Sequence, residues 1–373
     1  MKNFSRRSFL ASMGAGISTA AVATTLPLRS SFLPSAFTPY NGPRLRVALC
    51  GLGQYAGYLA SGMQESKYCQ LTGIVTGTPA KAAIWQKQYN IPAGNIYNYQ
   101  NFDAIADNKE IDLIYIVLPN TMHKEYVIRA AKAGKHVITE KPMATSAADA
   151  AAMIKACADA KVQLGVGYRL HYEPYNMEMK RLGQEKVFGP VRLIEASLGY
   201  KVDDPMQWRL KKAMSGGGPL MNLGVYCVQA SRYILGEEPV AVTAQFNPAI
   251  RPEMFTEVEA SITWQLNFPS GAVSNSTSSY NANIDRLYAS ADNGFFQLAP
   301  AISYGPFRGR TSKGELSFPD INQQAAQMDG IAQRLLQNKP LPAHISGEEG
   351  LRDMRIMDAI YAAANSGTKI SLV

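Results

Sequence analysis

The chain has 373 residues, of which 46% are hydrophobic and 18% charged, and its formal net charge is +8. This length and composition exclude a disordered protein and favour two globular domains. The positive charge shows no block of Lys or Arg, which argues against nucleic-acid binding. The four cysteines form neither a C-x-x-C motif nor a cluster with histidine. We therefore expect no metal site.

A twin-arginine pattern stands near the start of the chain, Ser5-Arg6-Arg7-Ser8-Phe9-Leu10, followed by a mildly apolar run from Ala11 to Leu26. The run is too short and too weakly apolar for stable membrane insertion. We interpret residues 1–35 as a twin-arginine signal peptide and residues 36–43 as an N-terminal arm. A chance arginine pair on a disordered terminus is the alternative. The signal predicts a periplasmic or otherwise exported protein, loaded with any cofactor before export.

Residues 44–168 alternate short apolar runs with helical segments. The runs at 46–50, 71–75, 113–117, 136–139 and 162–166 have the composition of buried strands, and amphipathic stretches separate most of them. Strands that alternate with helices in this way require a parallel sheet with helices on both faces. This part of the chain is predicted to be a doubly wound Rossmann domain that binds a dinucleotide.

In residues 169–373 the pattern of apolar and polar residues changes. Apolar and polar residues alternate in successive runs at 191–198, 240–246, 258–268, 272–279, 286–291 and 294–298. Such runs, with one helix near 223–235 and two more near 321–336 and 348–364, predict an open, mostly antiparallel sheet. We expect this α/β domain to bind the substrate. Its open face suggests a homo-oligomer, a dimer or a tetramer, assembled through the sheet.

The turn after the first predicted strand reads G-x-G-x-x-A, from Gly51 through Gly53, Gln54 and Tyr55 to Ala56. The glycines let the backbone approach a pyrophosphate, and the following helix points its free N–H groups at it. The motif is weak alone, but here a strand precedes it and a helix follows it. The turn therefore predicts a nicotinamide dinucleotide site.

The end of the second predicted strand determines the choice of dinucleotide. An NAD site usually has Asp or Glu there, whereas this chain continues Val75-Thr76-Gly77-Thr78-Pro79-Ala80-Lys81. No carboxylate repels a 2′-phosphate, and Thr76, Thr78 and Lys81 can donate to one. We predict NADP rather than NAD.

Two further segments follow strands at the carboxyl edge of the sheet, where open α/β folds bind ligands. The first contains Pro119, Asn120 and His123; the histidine either faces the cofactor or starts the next helix. The second is Glu140-Lys141-Pro142. Its lysine is placed to meet substrate near the nicotinamide, unless it is a surface residue, and Pro142 is a candidate cis proline.

Several motifs resemble the glucose–fructose oxidoreductase/inositol dehydrogenase (Gfo/Idh/MocA) family, most of all its glucose–fructose and aldose–aldose oxidoreductase branch. They are the segments 51–56, 140–142, 167–174 (Gly-Tyr-Arg-Leu-His-Tyr-Glu-Pro), 207–210 (Gln-Trp-Arg-Leu) and 216–226 (Gly-Gly-Gly-Pro-Leu-Met-Asn-Leu-Gly-Val-Tyr). The similarity continues through 236–239 and 347–350 and covers about residues 44–370.

The resemblance implies oxidation of a sugar at C1 to a lactone by hydride transfer to NADP, with a second sugar then reduced by the same bound cofactor. It carries over Lys141 as active-site lysine, Tyr226 as acid/base, and Thr76, Lys81 and Tyr99 around the adenosine phosphate. A lysine cation and the nicotinamide charge would favour the phenolate form of Tyr226. Alternatively, Tyr226 is a core aromatic residue.

The remaining pocket residues are polar or aromatic. We assign Arg169, Trp208 and Arg209 to the cofactor, together with Glu140 and Lys141. We assign to the substrate Lys141, Tyr168, Arg169, Asn222 and Tyr226. The family usually has Asp where this chain has Asn222, four residues before the tyrosine. Alternative functions are a dehydrogenase of another polyol or modified sugar, or a binding protein that retains the nucleotide without catalysis.

Overall fold

The computed structural model describes residues 40–372. The predicted signal peptide, residues 1–35, and the first part of the predicted arm, residues 36–39, lie outside the described residues. The remainder of the arm begins at Tyr40, whose ring packs edge-on against Tyr68 with 4.6 Å between centroids. Within residues 40–372 no helix is long and apolar enough to cross a membrane.

The first sheet is parallel and has six strands in the order β3-β2-β1-β4-β5-β6. Its strands are β1 (Leu45–Cys50), β2 (Cys69–Val75), β3 (Ile96–Tyr97), β4 (Leu113–Ile116), β5 (His136–Thr139) and β6 (Leu164–Val166). The helices between them are α1 (Gln54–Glu65), α2 (Pro79–Tyr89), α3 (His123–Lys132) and α4 (Ala147–Asp159). The strand order reverses between β1 and β4, which opens a crevice at the carboxyl edge.

The second sheet has nine strands in the order β14-β13-β12-β11-β7-β10-β9-β8-β15. They are β7 (Val191–Gly199), β8 (Ala241–Phe246), β9 (Ser261–Asn267), β10 (Val273–Ser279), β11 (Ile284–Ala291), β12 (Gly294–Leu298), β13 (Gly309–Thr311), β14 (Gly314–Leu316) and β15 (Ile370–Ser371). The pairing is antiparallel except between β7 and β10, which run parallel. Helices α5 (Pro174–Gln184), α6 (Lys212–Ser215) and α7 (Val225–Leu235) accompany this sheet. The predicted fold class, a Rossmann sheet followed by a mostly antiparallel one, is confirmed.

Helices α8 (Gln323–Leu336) and α9 (Gly347–Ser366) return to the first sheet. Gly62 of α1 lies so close to α8 that an added Cβ would stand 2.8 Å from Gln324 Cβ. On α9, Gly347 packs against Ile154 of α4 in the same manner, at 3.0 Å. Because these late helices complete the helical layers of the first sheet, the boundary between residues 168 and 169 stays a prediction.

Candidate functional site

The glycine turn joins β1 to α1. Gly51 has φ +96°, and a Cβ there would collide with the carbonyl oxygen of Val117, so only glycine fits. Gly53 is the residue before α1 and has open space where a side chain would stand. Helix α1 begins at Gln54, and Tyr55 and Ala56 follow in its first turn. The N–H groups of this turn have no carbonyl partner within the helix. The turn can therefore hold a pyrophosphate.

The end of β2 lies beside this turn. Thr76 is buried, and its hydroxyl accepts from the Thr78 N–H at 3.2 Å. The exposed Lys81 lies on the first turn of α2, and its Nζ donates to the carbonyl of Leu52 at 3.4 Å. An exposed ammonium group at the edge of the glycine turn, with no carboxylate among residues 76–81, suits a 2′-phosphate.

Tyr99 forms the wall on this side. Its ring packs on Gly77, where an added Cβ would stand 2.9 Å from the ring. It also meets Tyr126 edge-on, with 5.5 Å between centroids. Burial raises the pKa of Tyr99 to about 12, so it stays a neutral aromatic surface. It can line the adenosine side of the site.

The segment after β4 lies at the carboxyl edge of the first sheet. His123 is fully buried, and its Nε2 lies 2.9 Å from the Leu118 carbonyl and its Nδ1 3.0 Å from that of Pro142. Backbone carbonyls thus contact both ring nitrogens. This favours the alternative in which His123 starts α3, and it leaves neither nitrogen for a cofactor. Asn120 is also buried and donates to the Ser215 carbonyl at 2.8 Å. The half-buried Pro119 precedes it at the same edge.

Lys141, Asn222 and Tyr226 are brought together. Lys141 follows β5, and the Lys141–Pro142 peptide bond is cis. Its Nζ lies 4.4 Å from the centroid of the Tyr226 ring and donates to the Asn222 carbonyl at 2.8 Å. Tyr226 stands in the first turn of α7, and Asn222 in the π-helical turn Leu220–Gly224 that leads into it. A cation and a phenol thus meet at the open edge of the Rossmann sheet.

The Asn222 side chain faces the second sheet. Its Nδ2 donates to the Tyr200 hydroxyl at 3.3 Å. The Tyr200 ring in turn meets the Tyr280 ring at 5.5 Å between centroids. Neither tyrosine was predicted, since the two lie at strand ends far apart in sequence. They form a polar aromatic surface beside the Asn222 side chain.

Arg169 lies behind Tyr226. Its guanidinium carbon is 5.5 Å from the Tyr226 ring centroid and 4.6 Å from that of Tyr304. The group is buried and donates to the carbonyl oxygens of Ile302 and Ser303 and to the side-chain oxygen of Gln323. Most of its donors are therefore used by the protein. Its charge lies near Tyr226, and its contacts with cofactor and substrate stay a prediction.

Tyr304 was not predicted. It lies on the loop between β12 and β13, is 55% exposed, and packs against Tyr58 of α1 with 5.1 Å between ring centroids. Tyr55 is near the same ring, at 6.4 Å. Tyr304 thus stands between the first turn of α1 and Arg169, at the mouth of the site.

Tyr168, for which a substrate role was predicted, lies in a buried hydrogen-bonded network. Its side chain is 2% exposed, and its hydroxyl donates to Oδ2 of Asp353 at 2.5 Å. Asp353 is also paired with Arg232 at 2.6 Å. Tyr168 is committed to this buried network, and only its neighbour Arg169 turns towards Tyr226.

Glu140 lies under Lys141. It is buried, and its Oε1 accepts from the Tyr115 hydroxyl at 2.7 Å. Gln327 of α8 donates to the same hydroxyl at 2.7 Å. Burial raises the pKa of Glu140 to about 7. Glu140, predicted to contact the cofactor, is thus part of a buried hydrogen-bonded network with Tyr115 and Gln327.

Glu140→Gln tests this burial through the pH dependence of stability. The pKa of Glu140 rises from 4.5 to about 7 in the folded protein. As the pH rises from 4.5 to 7, the unfolded chain releases this proton before the folded chain does. The unfolding free energy of the wild type therefore falls by up to about 3 kcal/mol. The variant lacks this group, and its urea-unfolding free energy relative to wild type should increase from pH 5 to pH 8. Glu315→Gln on the exposed β14 is the control; an equal pH trend in both variants would contradict the assignment.

Trp208 and Arg209 lie in the loop after β7, and both are half-buried. The Arg209 guanidinium carbon stands 4.6 Å from the centroid of the Trp208 indole. Its Nε is buried and has no hydrogen-bond partner among residues 40–372. The Arg209 guanidinium therefore lies against the Trp208 indole with its Nε–H not bonded to any described residue.

Comparisons with known proteins agree with this architecture. Residues 45–168 match the model of an oxidoreductase family with an NAD-binding Rossmann fold (GFO_IDH_MocA), and residues 176–295 match the GFO/IDH/MocA C-terminal domain. The crystal structure of aldose–aldose oxidoreductase from Caulobacter crescentus, complexed with glycerol, is 39% identical. It matches 88% of this chain and 100% of its own chain with a TM-score of 0.85.

Two curated proteins are also similar. An NADP(+) D-xylose 1-dehydrogenase of Haloarcula marismortui is 28% identical over 341 residues, which cover 88% of this chain and 93% of that protein. A second NADP(+) D-xylose 1-dehydrogenase, from Haloferax volcanii, is 25% identical over 83% of this chain and 94% of its own length.

Proposed function

Because the chain belongs to the Gfo/Idh/MocA family of oxidoreductases, we propose that it is an NADP-dependent sugar oxidoreductase that oxidises an aldose at C1 to a lactone. The observation that carries the proposal is the contact between Lys141 and Tyr226, in which the lysine Nζ lies 4.4 Å from the centroid of the tyrosine ring. It lies at the edge of the Rossmann sheet, where a nicotinamide ring would reach. The xylose dehydrogenases and the aldose oxidoreductase among its relatives support the same substrate class.

The described residues fit NADP. Gly51 and Gly53 leave room for the pyrophosphate at the start of α1. Thr76 and Lys81 stand where the 2′-phosphate of the adenosine would lie, and residues 76–81 contain no acid to repel it. Tyr99 would line the adenine side. Bound NADP supplies the acceptor for the hydride that leaves C1.

Tyr226 is the base in this proposal. As the C1–H bond breaks with its electron pair, the phenolate of Tyr226 takes the proton of the C1 hydroxyl, and the O–H pair becomes the C=O bond of the lactone. The positive charges of Lys141 and Arg169 lie 4.4 and 5.5 Å from the centroid of its ring. Lys141 also holds the Asn222 carbonyl and so sets the approach of the π-helical turn.

Three further features belong to the proposal. With NADP retained through the catalytic cycle, Lys141 and Tyr226 would also position a second sugar for reduction. The protein is exported through its twin-arginine signal with NADP already in place, as the pattern at residues 5–10 suggests. It assembles through the face of the second sheet that bears Thr243, Thr263 and Gln265, where β8 and β9 form an open depression.

Mass analysis of the nucleotide released by denaturation tests the proposal. We expect NADP(H), and we expect absorbance at the reduced-nicotinamide band to change when sugars are added to the native protein. Lys81→Ala should lower the ratio of NADP to NAD binding, whereas Lys87→Ala on the same helix should not. Recovery of NAD alone, or no spectral response to any sugar, neutral or acidic, would overturn the proposal.

A further inference from the structure

Tyr304 connects the second sheet to the helix that follows the glycine turn. It lies on the loop between β12 and β13, and its ring packs against Tyr58 of α1 with 5.1 Å between centroids. Tyr55, in the first turn of the same helix, lies 6.4 Å from the Tyr304 ring. Because Tyr304 and Tyr58 are 55% and 42% exposed, their contact forms part of the surface beside the turn that can hold a pyrophosphate.

Tyr304 also contacts a cation that lies next to Tyr226. The guanidinium carbon of Arg169 is 4.6 Å from the centroid of the Tyr304 ring and 5.5 Å from that of Tyr226. A row of side chains therefore leads from Tyr58 on α1, through Tyr304 and Arg169, to Tyr226. One end of this row lies at the helix of the pyrophosphate turn, and the other lies at the candidate base. The nicotinamide half of a dinucleotide must span the same two places.

The loop before Tyr304 is held by hydrogen bonds. The carboxylate of Asp285 on β11 accepts from the N–H groups of Ala301 and Ile302 at 2.8 Å and from that of Ser303 at 2.9 Å. Arg169 donates to the carbonyls of Ile302 and Ser303. The exposed Tyr304 side chain can turn away from α1 without breaking any of these backbone bonds. The fixed loop thus carries a side chain that is free to open and close.

Two buried polar atoms beside Tyr304 lack a partner. They are the hydroxyl of Tyr55 and the Nε of Arg169, and neither is bonded within the part of the chain that the structure describes. Buried polar groups without a partner are unfavourable. A bound molecule that brings oxygen atoms to this place would therefore be stabilised. The ribose and pyrophosphate of NADP carry such oxygens.

We propose that Tyr304 closes the nicotinamide half of the cofactor site and controls the rate at which NADP leaves. The nucleotide would run along the row that begins at Tyr58 and ends at Tyr226, and its release would require the Tyr304 ring to separate from Tyr58. The inference rests on the proposed function and adds a residue to its cofactor site. Tyr304 is a positioning residue in this proposal, because it acts on cofactor exchange and not on the transfer of the proton or the hydride.

The dissociation rate of NADP measures this role. Protein loaded with NADP is mixed with an excess of isotope-labelled NADP, and the nucleotide that remains bound is identified by mass after rapid gel filtration. We expect Tyr304→Ala to release NADP about tenfold faster than wild type or more, since changes in a contact act mainly on dissociation. Tyr304→Phe keeps the ring and should stay within about threefold of wild type.

Tyr58→Ala removes the same contact from the side of α1. It should also accelerate release, and the double variant should release NADP at most about twofold faster than Tyr304→Ala, because each change alone already breaks the contact. Multiplied effects in the double variant would contradict a shared contact. If Tyr304→Ala does not fold, Tyr58→Ala and Tyr304→Phe decide the matter.

Tyr89→Ala is the matched control. Tyr89 lies at the end of α2 and packs on Trp85 with 5.1 Å between centroids and 47° between ring planes, the same values as for Tyr58 and Tyr304. Its hydroxyl accepts from Gln88 at 3.1 Å. We expect this variant to release NADP at the wild-type rate. Equal acceleration in Tyr89→Ala and Tyr304→Ala would mean that the loss of any such aromatic pair loosens the protein, and would overturn the inference.

The sugar provides a second readout that separates this inference from the proposed function. With NADP saturating, Tyr304→Ala should keep its KM for the sugar within about twofold of wild type. A large rise in that KM with unchanged NADP release would assign Tyr304 to the sugar, which overturns the inference and leaves the oxidoreductase intact. Release at the wild-type rate from both alanine variants has the same consequence. A wild-type protein that binds no nucleotide would overturn the proposed function as well.

Discussion

Tyr226→Phe is expected to lower kcat for sugar oxidation by roughly 10²–10⁴-fold, the usual contribution of a positioned acid or base. The phenylalanine ring keeps the packing and the contact with Lys141, which stands 4.4 Å from the ring centroid, but it cannot take the C1 hydroxyl proton. The rate is measured from the absorbance of reduced nicotinamide. The released nucleotide shows whether the variant still binds NADP.

Tyr233→Phe is the matched control for this variant. Tyr233 lies on the same helix, two turns further on, and its hydroxyl donates to Asn176 at 3.0 Å, outside the site. Its removal should change kcat only a few-fold. A Tyr226→Phe protein that loads NADP and turns over as fast as Tyr233→Phe would move the base to another group.

The largest expected loss of stability comes from Arg232→Met. The Arg232 side chain is 4% exposed and pairs with Asp353 at 2.6 Å, Glu349 at 2.7 Å and Glu238 at 2.6 Å. The methionine fills similar space but leaves the buried Asp353 without its cation. Breaking one side of a buried pair costs about 3–5 kcal/mol of unfolding free energy. Urea unfolding at neutral pH measures it.

The control for Arg232→Met is Arg192→Met. Arg192 makes an exposed two-pronged pair with Asp292 at 2.7 and 2.9 Å, and exposed pairs contribute little. The Arg232→Met loss should shrink at acidic pH, because protonation removes the uncompensated charge of Asp353. Equal losses in the two variants would contradict the assigned role of the buried network.

Local patterns in the sequence predicted most of the fold. The continuous apolar run of β4 and the alternation in β9 and β10 indicate strands because each records which faces are buried. The two-residue β3 and the three-residue β13 and β14 are too short for periodicity to show. The parallel pairing of β7 with β10 joins distant segments, and no local signal determines such a partner.

Candidate residues for the site could be predicted from the sequence where a motif contains them, and their roles stay predictions. Gly51, Lys141 and Tyr226 lie in segments whose spacing and setting relate them to a strand end or a helix start. Tyr200 and Tyr304 come from loops with no spacing to any motif, so only the folded chain reveals them. Tyr168 and His123 were placed in the correct region, but a sequence does not show which way a side chain turns.

The nucleotide-binding half of the chain packs against helices α8 and α9, which are synthesised much later. The close approach of Gly62 to Gln324, where an added Cβ would stand 2.8 Å away, means that α1 finds its packing partner more than 250 residues later. During synthesis, the first half therefore leaves the ribosome without the helices that cover it. We expect its cofactor to be captured only near chain completion, and a fragment ending at residue 168 to expose apolar surface and aggregate.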